Sequence, residues 1–235
     1  METVTRAFQS YRILDLPVVD ADGVFLGAVT HDDLARAAQE DATIDIQTMV
    51  GAGRAEKALS TPLFTVRRRM PWLQINLLTA FLAAAVVGLF ESTIAQVTAL
   101  AVLLPVVAGQ SGNAGAQALA VTMRGLALRE ITVRQWLRVV RKEVAAGLIN
   151  GVGIAVTCGV GVWFWSGSAG LVAVIVSSMI LAMVAAGFAG ALIPILLTRL
   201  GQDPATSSSI ILTTVTDIAG FFSFLGIATL MMQFL

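Results

Sequence analysis

Cysteine, histidine and charge are all scarce in this sequence. Its 235 residues include one cysteine and one histidine, and only 13% are charged. A lone cysteine, Cys158, excludes a disulfide framework and a Cys-based metal cluster; inside its apolar run it reads as a small residue packed between helices. The lone histidine, His31, stands beside Asp32 and Asp33 and reads as a surface residue at a helix entry. No phosphate-cradling loop, catalytic triad or basic aromatic surface is present, so neither an enzyme nor a nucleic-acid partner is expected. The first long apolar run begins only after residue 70 and is too long for a cleavable signal.

Apolar residues take the place of charge. They make up 57% of the chain, and the mean hydropathy is +0.83, whereas a soluble domain is about one-quarter charged. Residues 1–70 hold eight of the fifteen Lys and Arg and ten of the fifteen Asp and Glu, so a polar head precedes an apolar body. A helix needs roughly 20 apolar residues to cross a membrane. The uncharged runs predict five spans at about 71–90, 97–123, 144–165, 171–198 and 207–234, with SGSAG at 166–170 as the turn between the third and fourth. Arg67, Arg68 and Arg69, the basic residues from Arg124 to Lys142, and Arg199 all fall on one side of this arrangement. Lys and Arg collect on the cytoplasmic side. The expected protein is therefore a multi-pass protein of the cell's inner (plasma) membrane, with a cytoplasmic amino terminus and an external carboxyl terminus.

Small residues recur at helix-packing intervals in spans three and four: Gly147, Gly151, Ala155 and Gly159, then Ala182, Ala186 and Gly190. They fit packing within the chain or between subunits. More telling is Asp217, the only acidic residue deep inside a span, about 15 Å along the helix from Ser207. Asn113 lies about 16 Å from Arg124 by the same rise. The lone carboxylate and the amide-bearing stretch GQSGNAGAQ thus reach one depth from two spans, with Thr213 four residues from Asp217 on the same face. Mg²⁺ prefers octahedral oxygen and sheds water reluctantly, so one or two carboxylates around a hydrated ion suit it. A two-fold dimer would supply the second. The glycines at 109, 112 and 115 would let a broad hydrated ion approach, and Asn113 and Gln117 would hydrogen-bond its waters or brace the spans. The competing structural reading makes Asp217 internal glue, protonated or bonded to Asn113 or Gln117. An aspartyl protease would need a second intramembrane aspartate. Glu91, at the outer end of span one, reads equally as a cation attractor or a solvated side chain.

These residues resemble the MgtE family of magnesium channels and transporters, related to animal solute-carrier family 41. The resemblance runs through MPWLQINLLTAFLAAAVVGLFES, LPVVAGQSGNAGAQ, TMRGLALREITVRQW, KEVAAGLINGVGIA, RLGQDPA and TDIAGFFSFLGIA. It implies a homodimer of five-span subunits with an ion path on the dimer axis, and Mg²⁺ as the transported ion, bound at Asp217. The path would be lined by Ala101, Pro105, Gly109, Gly112, Asn113 and Gln117 of span two and by Ser209 and Thr213 of span five. Two departures stand out: Ser111 where the family has glycine, and Ala116 where it often has a second asparagine.

Residues 1–50 resemble part of a CBS regulatory module, with PVVD and VFLGAVT as short strands around the turn ADG and a helix from His31 or Asp32. The resemblance implies that the module's opening portion lies outside this sequence, and that residues 51–70 form a linker helix able to plug the pore. Glu40, Asp41, Asp45 and Asp203 fall where the family has acids that sense cytosolic Mg²⁺; they read equally as a solvated acidic face. The expected fold is thus an all-α polytopic membrane protein with five helices per subunit, preceded by a partial α/β CBS-like fragment (1–50) and a linker helix (51–70). Passive Mg²⁺ influx through a pore at 71–235 is the expected function. A carrier or exchanger of Co²⁺ or Mn²⁺, or a non-conducting membrane anchor, are the alternatives.

Overall fold

The computed structural model describes residues 15–53 and 55–235. The chain divides into two compact units, Met1–Thr48 and Met49–Leu235.

In the first unit, β1 (Asp15–Val19) pairs antiparallel with β2 (Phe25–Thr30), Asp15 opposite Thr30, with an irregularity between Val18 and Val19. The turn is chemically specified. Asp20 Oδ1 accepts the amides of Asp22 (3.0 Å) and Val24 (2.8 Å), and Gly23 takes the left-handed backbone at φ +80°. Helix α1 (His31–Met49) starts at the expected place. Thr30 Oγ1 accepts the Asp33 amide at 3.1 Å while Asp33 Oδ2 accepts the Thr30 amide at 3.2 Å, a reciprocal box that satisfies orphan donors at the helix start. The Thr30 hydroxyl also donates to Asp33 and, as the largest influence, holds its carboxyl below the usual aspartate range. Glu40, Asp41 and Asp45 fall on α1, but their side chains lie outside the described residues.

The second unit opens differently from expectation. Residues 51–70 do not form a single linker helix: the described part of 51–61 is turn and irregular chain, and helix begins only at Pro62. Gly51, at φ +78°, turns the chain, and Pro62 sits in the first helical turn, where its missing N–H costs nothing. From there α2 (Pro62–Gly88) runs unbroken past Arg67, Arg68 and Arg69 into the first apolar span. The connection is pinned back onto this helix by Glu56, a nearly buried carboxylate gripped by Arg69 through both Nε (3.1 Å) and Nη2.

A short helix, α3 (Glu91–Gln96), occupies the loop expected after the first span and is tied to the last long helix by Thr93 and Thr229, whose hydroxyls lie 2.9 Å apart. Then come α4 (Ala99–Ala127), α5 (Trp136–Ser166), α6 (Ala169–Arg199) and α7 (Pro204–Leu230). Among the described residues five helices are long and apolar enough to cross a membrane, so this is a multi-pass membrane protein. Several exceed the expected spans: α5 begins at Trp136, after a 3-10 turn in which Thr132 and Gln135 form a capping box. The hydrocarbon core fixes only the uncharged middle of a helix, and caps decide how far its ends continue. The SGSAG turn is as expected, with Gly167 at φ +65° closing α5 and the Ser168 side chain accepting the Leu171 amide to open α6.

The small-residue rows pack within the chain. A Cβ on Gly147 would stand 2.6 Å from the Met183 carbonyl oxygen, and one on Gly190 would stand 2.5 Å from the carbonyl oxygen of Gly115. These two contacts join α5 to α6 and α6 to α4 at backbone-to-backbone distance. The core around Leu100, Val174, Ile175, Met179 and Phe224 is fully buried.

Candidate functional site

The two features that the sequence set at one depth are central to their helices. Asn113 is the middle residue of the 29 in α4, and Asp217 is the middle residue of the 27 in α7. Packing holds the helices at that level. A Cβ on Gly115 would meet Leu212 (3.0 Å) and Thr216 (3.1 Å), and one on Gly220 would meet Val107 (3.3 Å) and Ser111 (3.4 Å). Asp217 therefore stands alongside the turn from Ser111 to Gly115. It is half-buried and, among the described residues, makes no hydrogen bond or ion pair. Reading it as internal glue to Asn113 or Gln117 finds no such bond.

Residues advance about 100° per step around a helix, so α4 presents three distinct rows. Val107, Ser111, Gly115, Ala118 and Thr122 are buried against α6 and α7. Ala101, Pro105, Gly109 and Gly112 form a second, largely open row, continued by Ala116; a Cβ on Gly109 or Gly112 would meet nothing within 4 Å. Gln110, Asn113 and Gln117 form a third, roughly 110° around the helix from the second. The six residues proposed for the path on span two therefore spread over a wide arc: Asn113, one turn on from Gly109 and about 40° around the helix, adjoins the glycine row, while Gln117 lies about 140° from Gly112. Rotation about the axis is what sequence spacing of mixed i+3 and i+4 intervals left ambiguous.

Ser209 and Thr213 lie elsewhere again. They line a 490 Å³ cavity with Ile210, Arg69, Trp72, Leu73 and Asn76, closed at one side by Val50, Gly51 and Ala52 of the connection. The amides of α4 instead line a 350 Å³ groove with Asn150 and Gly153 of α5 and Met183 of α6. Asp217 lines neither of these two openings. Sequence reasoning missed Asn150, Gln110, Arg69, Trp72 and Asn76; Asn150 could have been found as the one amide in the third span.

Asp203, expected among the inner acids, caps α7 by accepting the Ala205 amide at 2.9 Å. Among the described residues no three His, Cys, Asp or Glu side chains converge on a common point. A divalent ion at the middle of α7 would meet a single carboxylate per chain, with waters and backbone or hydroxyl oxygens completing its shell.

The family model MgtE, described as a divalent cation transporter, matches residues 104–227, the segment that contains Gly109, Gly112, the amide row and Asp217. Among curated relatives, the magnesium transporter MgtE of Thermus thermophilus is 35% identical over 234 residues, 99% of this chain and 52% of the relative. Those of Bacillus subtilis and Enterococcus faecalis are 32% and 33% identical and cover 97% and 99% of this chain. The chain spans about half the length of the curated relatives it matches. A lone mid-helix carboxylate, a helix with an open glycine row beside it and a family match over both lead to one conclusion: the chain belongs to the MgtE family of divalent cation transporters.

Proposed function

We propose that this chain conducts Mg²⁺ across the membrane, down its electrochemical gradient, through a pore made by two copies. The observation that carries the reading is the position of Asp217 at the centre of α7, level with the open glycine row of α4. A carboxylate at mid-membrane costs several kcal/mol unless it faces water, a cation or a partner. Two copies would face two such carboxylates across a two-fold axis, a charge that suits a divalent ion keeping most of its waters. Gly109 and Gly112 leave width for that shell. No covalent chemistry is involved. The name shared by the three relatives, magnesium transporter, supports Mg²⁺ over Co²⁺ or Mn²⁺ as the ion.

The basic residues at the start of α2, the end of α4, the start of α5 and the end of α6 support a cytoplasmic amino terminus. On this orientation the 490 Å³ cavity beside Ser209 and Thr213 is at the cytoplasmic mouth, with Val50, Gly51 and Ala52 at its rim. Residues 1–50 act as part of a CBS-type regulatory module, with Glu40, Asp41, Asp45 and Asp203 as candidate sensors of cytosolic Mg²⁺.

Mg²⁺ flux into proteoliposomes at fixed membrane potential, with Ca²⁺ and Co²⁺ as competitors, tests the reading. Wild-type flux should fall at least about tenfold in Asp217→Ala, which corresponds to about 1.4 kcal/mol of lost ion stabilisation. Undiminished flux in a well-folded Asp217→Ala protein would overturn the assignment.

A further inference from the structure

The chain from Arg124 to Glu143 carries six basic residues and two acidic ones, Glu130 and Glu143. Both acids are already engaged: Glu130 lies 3.5 Å from Arg124, and Glu143 lies 2.5 Å from Lys142. Arg134, in the 3-10 turn, and Arg138 and Arg141, in the first two turns of α5, are exposed and have no ion pair or hydrogen bond among the described residues. Three unpaired cations thus collect where the helix dipole already presents its positive end, and no acid in the first turn offsets them. Such an arrangement favours a bound anion.

The surface below the arginines says what kind of anion. At about 100° per residue, Arg138, Arg141, Ala145, Leu148 and Val152 fall within roughly 80° of one another on one face of α5, and all five are exposed. From Arg141 to Val152 the helix rises about 16 Å, half of a hydrocarbon core of about 30 Å. The apolar row therefore has the length of one leaflet's acyl chains. The amide groove at Asn150 is on the far side of the helix, roughly 160° from Val152. A soluble anion would answer the arginines and leave the apolar row unused. A phospholipid with an anionic headgroup answers both, because guanidinium groups grip phosphate oxygens through paired N–H donors while the acyl chains cover the row. We propose that this face of α5 is a binding site for an anionic phospholipid, its phosphate held by Arg138 and Arg141 with Arg134 beside them. The site requires that α5 spans the membrane and does not depend on the two-copy pore.

The test is native mass spectrometry of the full chain, released from detergent and titrated with phosphatidylglycerol or phosphatidylcholine, which resolves each bound lipid. The first phosphatidylglycerol should bind at least about tenfold more tightly than the first phosphatidylcholine, and Arg138→Gln with Arg141→Gln should abolish most of that preference. Arg67→Gln with Arg68→Gln, which removes two exposed arginines from α2, should leave it unchanged. All four residues are exposed, so both double variants should keep the wild-type helix content and unfolding. A wild-type chain without the preference, or an α5 variant that retains it in full, would overturn the site. Equal loss in both double variants would overturn it too, because the preference would then come from diffuse surface charge. Soluble glycerol phosphate at the same concentration should not displace the lipid; displacement would make this a site for a free anion and overturn the lipid as its occupant.

Discussion

α6 and α2 are both membrane-spanning by length and composition, yet they are held by opposite means. Half of the most apolar stretch of α6 is buried inside the chain, against 6% of that of α2. α6 lies between α4, α5 and α7, with Gly187 and Gly190 where the backbones of α5 and α4 approach and with Gly147 and Gly151 of α5 set against its Met183 and Ile180. α2 packs chiefly on α7 and turns Leu78, Phe81 and Leu82 outward. Its fixed points are its ends: Glu56 and Arg69 at one, and the Thr93–Thr229 bond just past the other. In lipid, apolarity alone does not draw a helix inward, because acyl chains are as apolar as leucine. Small residues that admit close contact distinguish the central helix from the tethered one.

The largest effect should come from closing a backbone contact of α6. Gly190→Leu puts bulk where even a Cβ would stand 2.5 Å from the Gly115 carbonyl oxygen and 2.7 Å from Ala118 Cβ. Over-packing costs about 1–3 kcal/mol when neighbours can shift, and here one neighbour is backbone. Loss of the monodisperse peak in size-exclusion chromatography is expected, and retention of wild-type unfolding would deny that α6 is the centre of the bundle. Next is the outer tether: Thr229→Val removes one partner of a part-buried hydrogen bond and should cost about 1 kcal/mol in denaturant unfolding.

The inner tether should show itself through pH. The hydrogen bond from Arg69, the largest influence, holds the Glu56 carboxyl below the usual glutamate range. A depressed carboxyl contributes stability that is complete above its unfolded-state value and lost as pH falls through the folded one. Protection of residues 51–61 from protease should therefore persist as pH descends through the ordinary glutamate range and disappear below it. Glu56→Gln should show weak protection at every pH; a pH profile identical to wild type would remove the tether. Smallest of all, Leu78→Ala on the outward face of α2 should change stability in lipid by no more than about 0.5 kcal/mol. A loss of 2 kcal/mol would mean that this face is covered by protein in the membrane. Gly109→Ala on α4 offers the sharpest contrast with Gly190. With nothing within 4 Å it should be neutral or stabilise the helix by up to about 1 kcal/mol, while narrowing the proposed ion path and lowering flux.

Much of this was legible in advance because it depends on local chemistry. The Asp20–Gly23 turn, the helix start at His31 and the Gly167–Ser168 turn each follow from residues whose side chains or backbone freedom demand them. The five spans follow from uncharged length. Other features depended on partners far away in sequence. The described part of 51–61 is not helical because its shape is set by Glu56 reaching Arg69 and by Gly51 turning the chain. The short helix at 91–96 is stabilised by Thr229, more than 130 residues on.

The candidate site divides along the same line, and the physical reason is the helix itself. Position along a helix is set by a fixed rise per residue and by the membrane, both of which the sequence carries. So the sequence alone determined that Asp217 and Asn113 stand near the middle of two membrane-spanning helices. Rotation about the axis is set by the neighbouring helices. Only the tertiary structure, through Gly115 against Leu212 and Gly220 against Ser111, decided which face of α4 meets α7 and that Asn113 and Gln117 open onto a groove with Asn150 of α5.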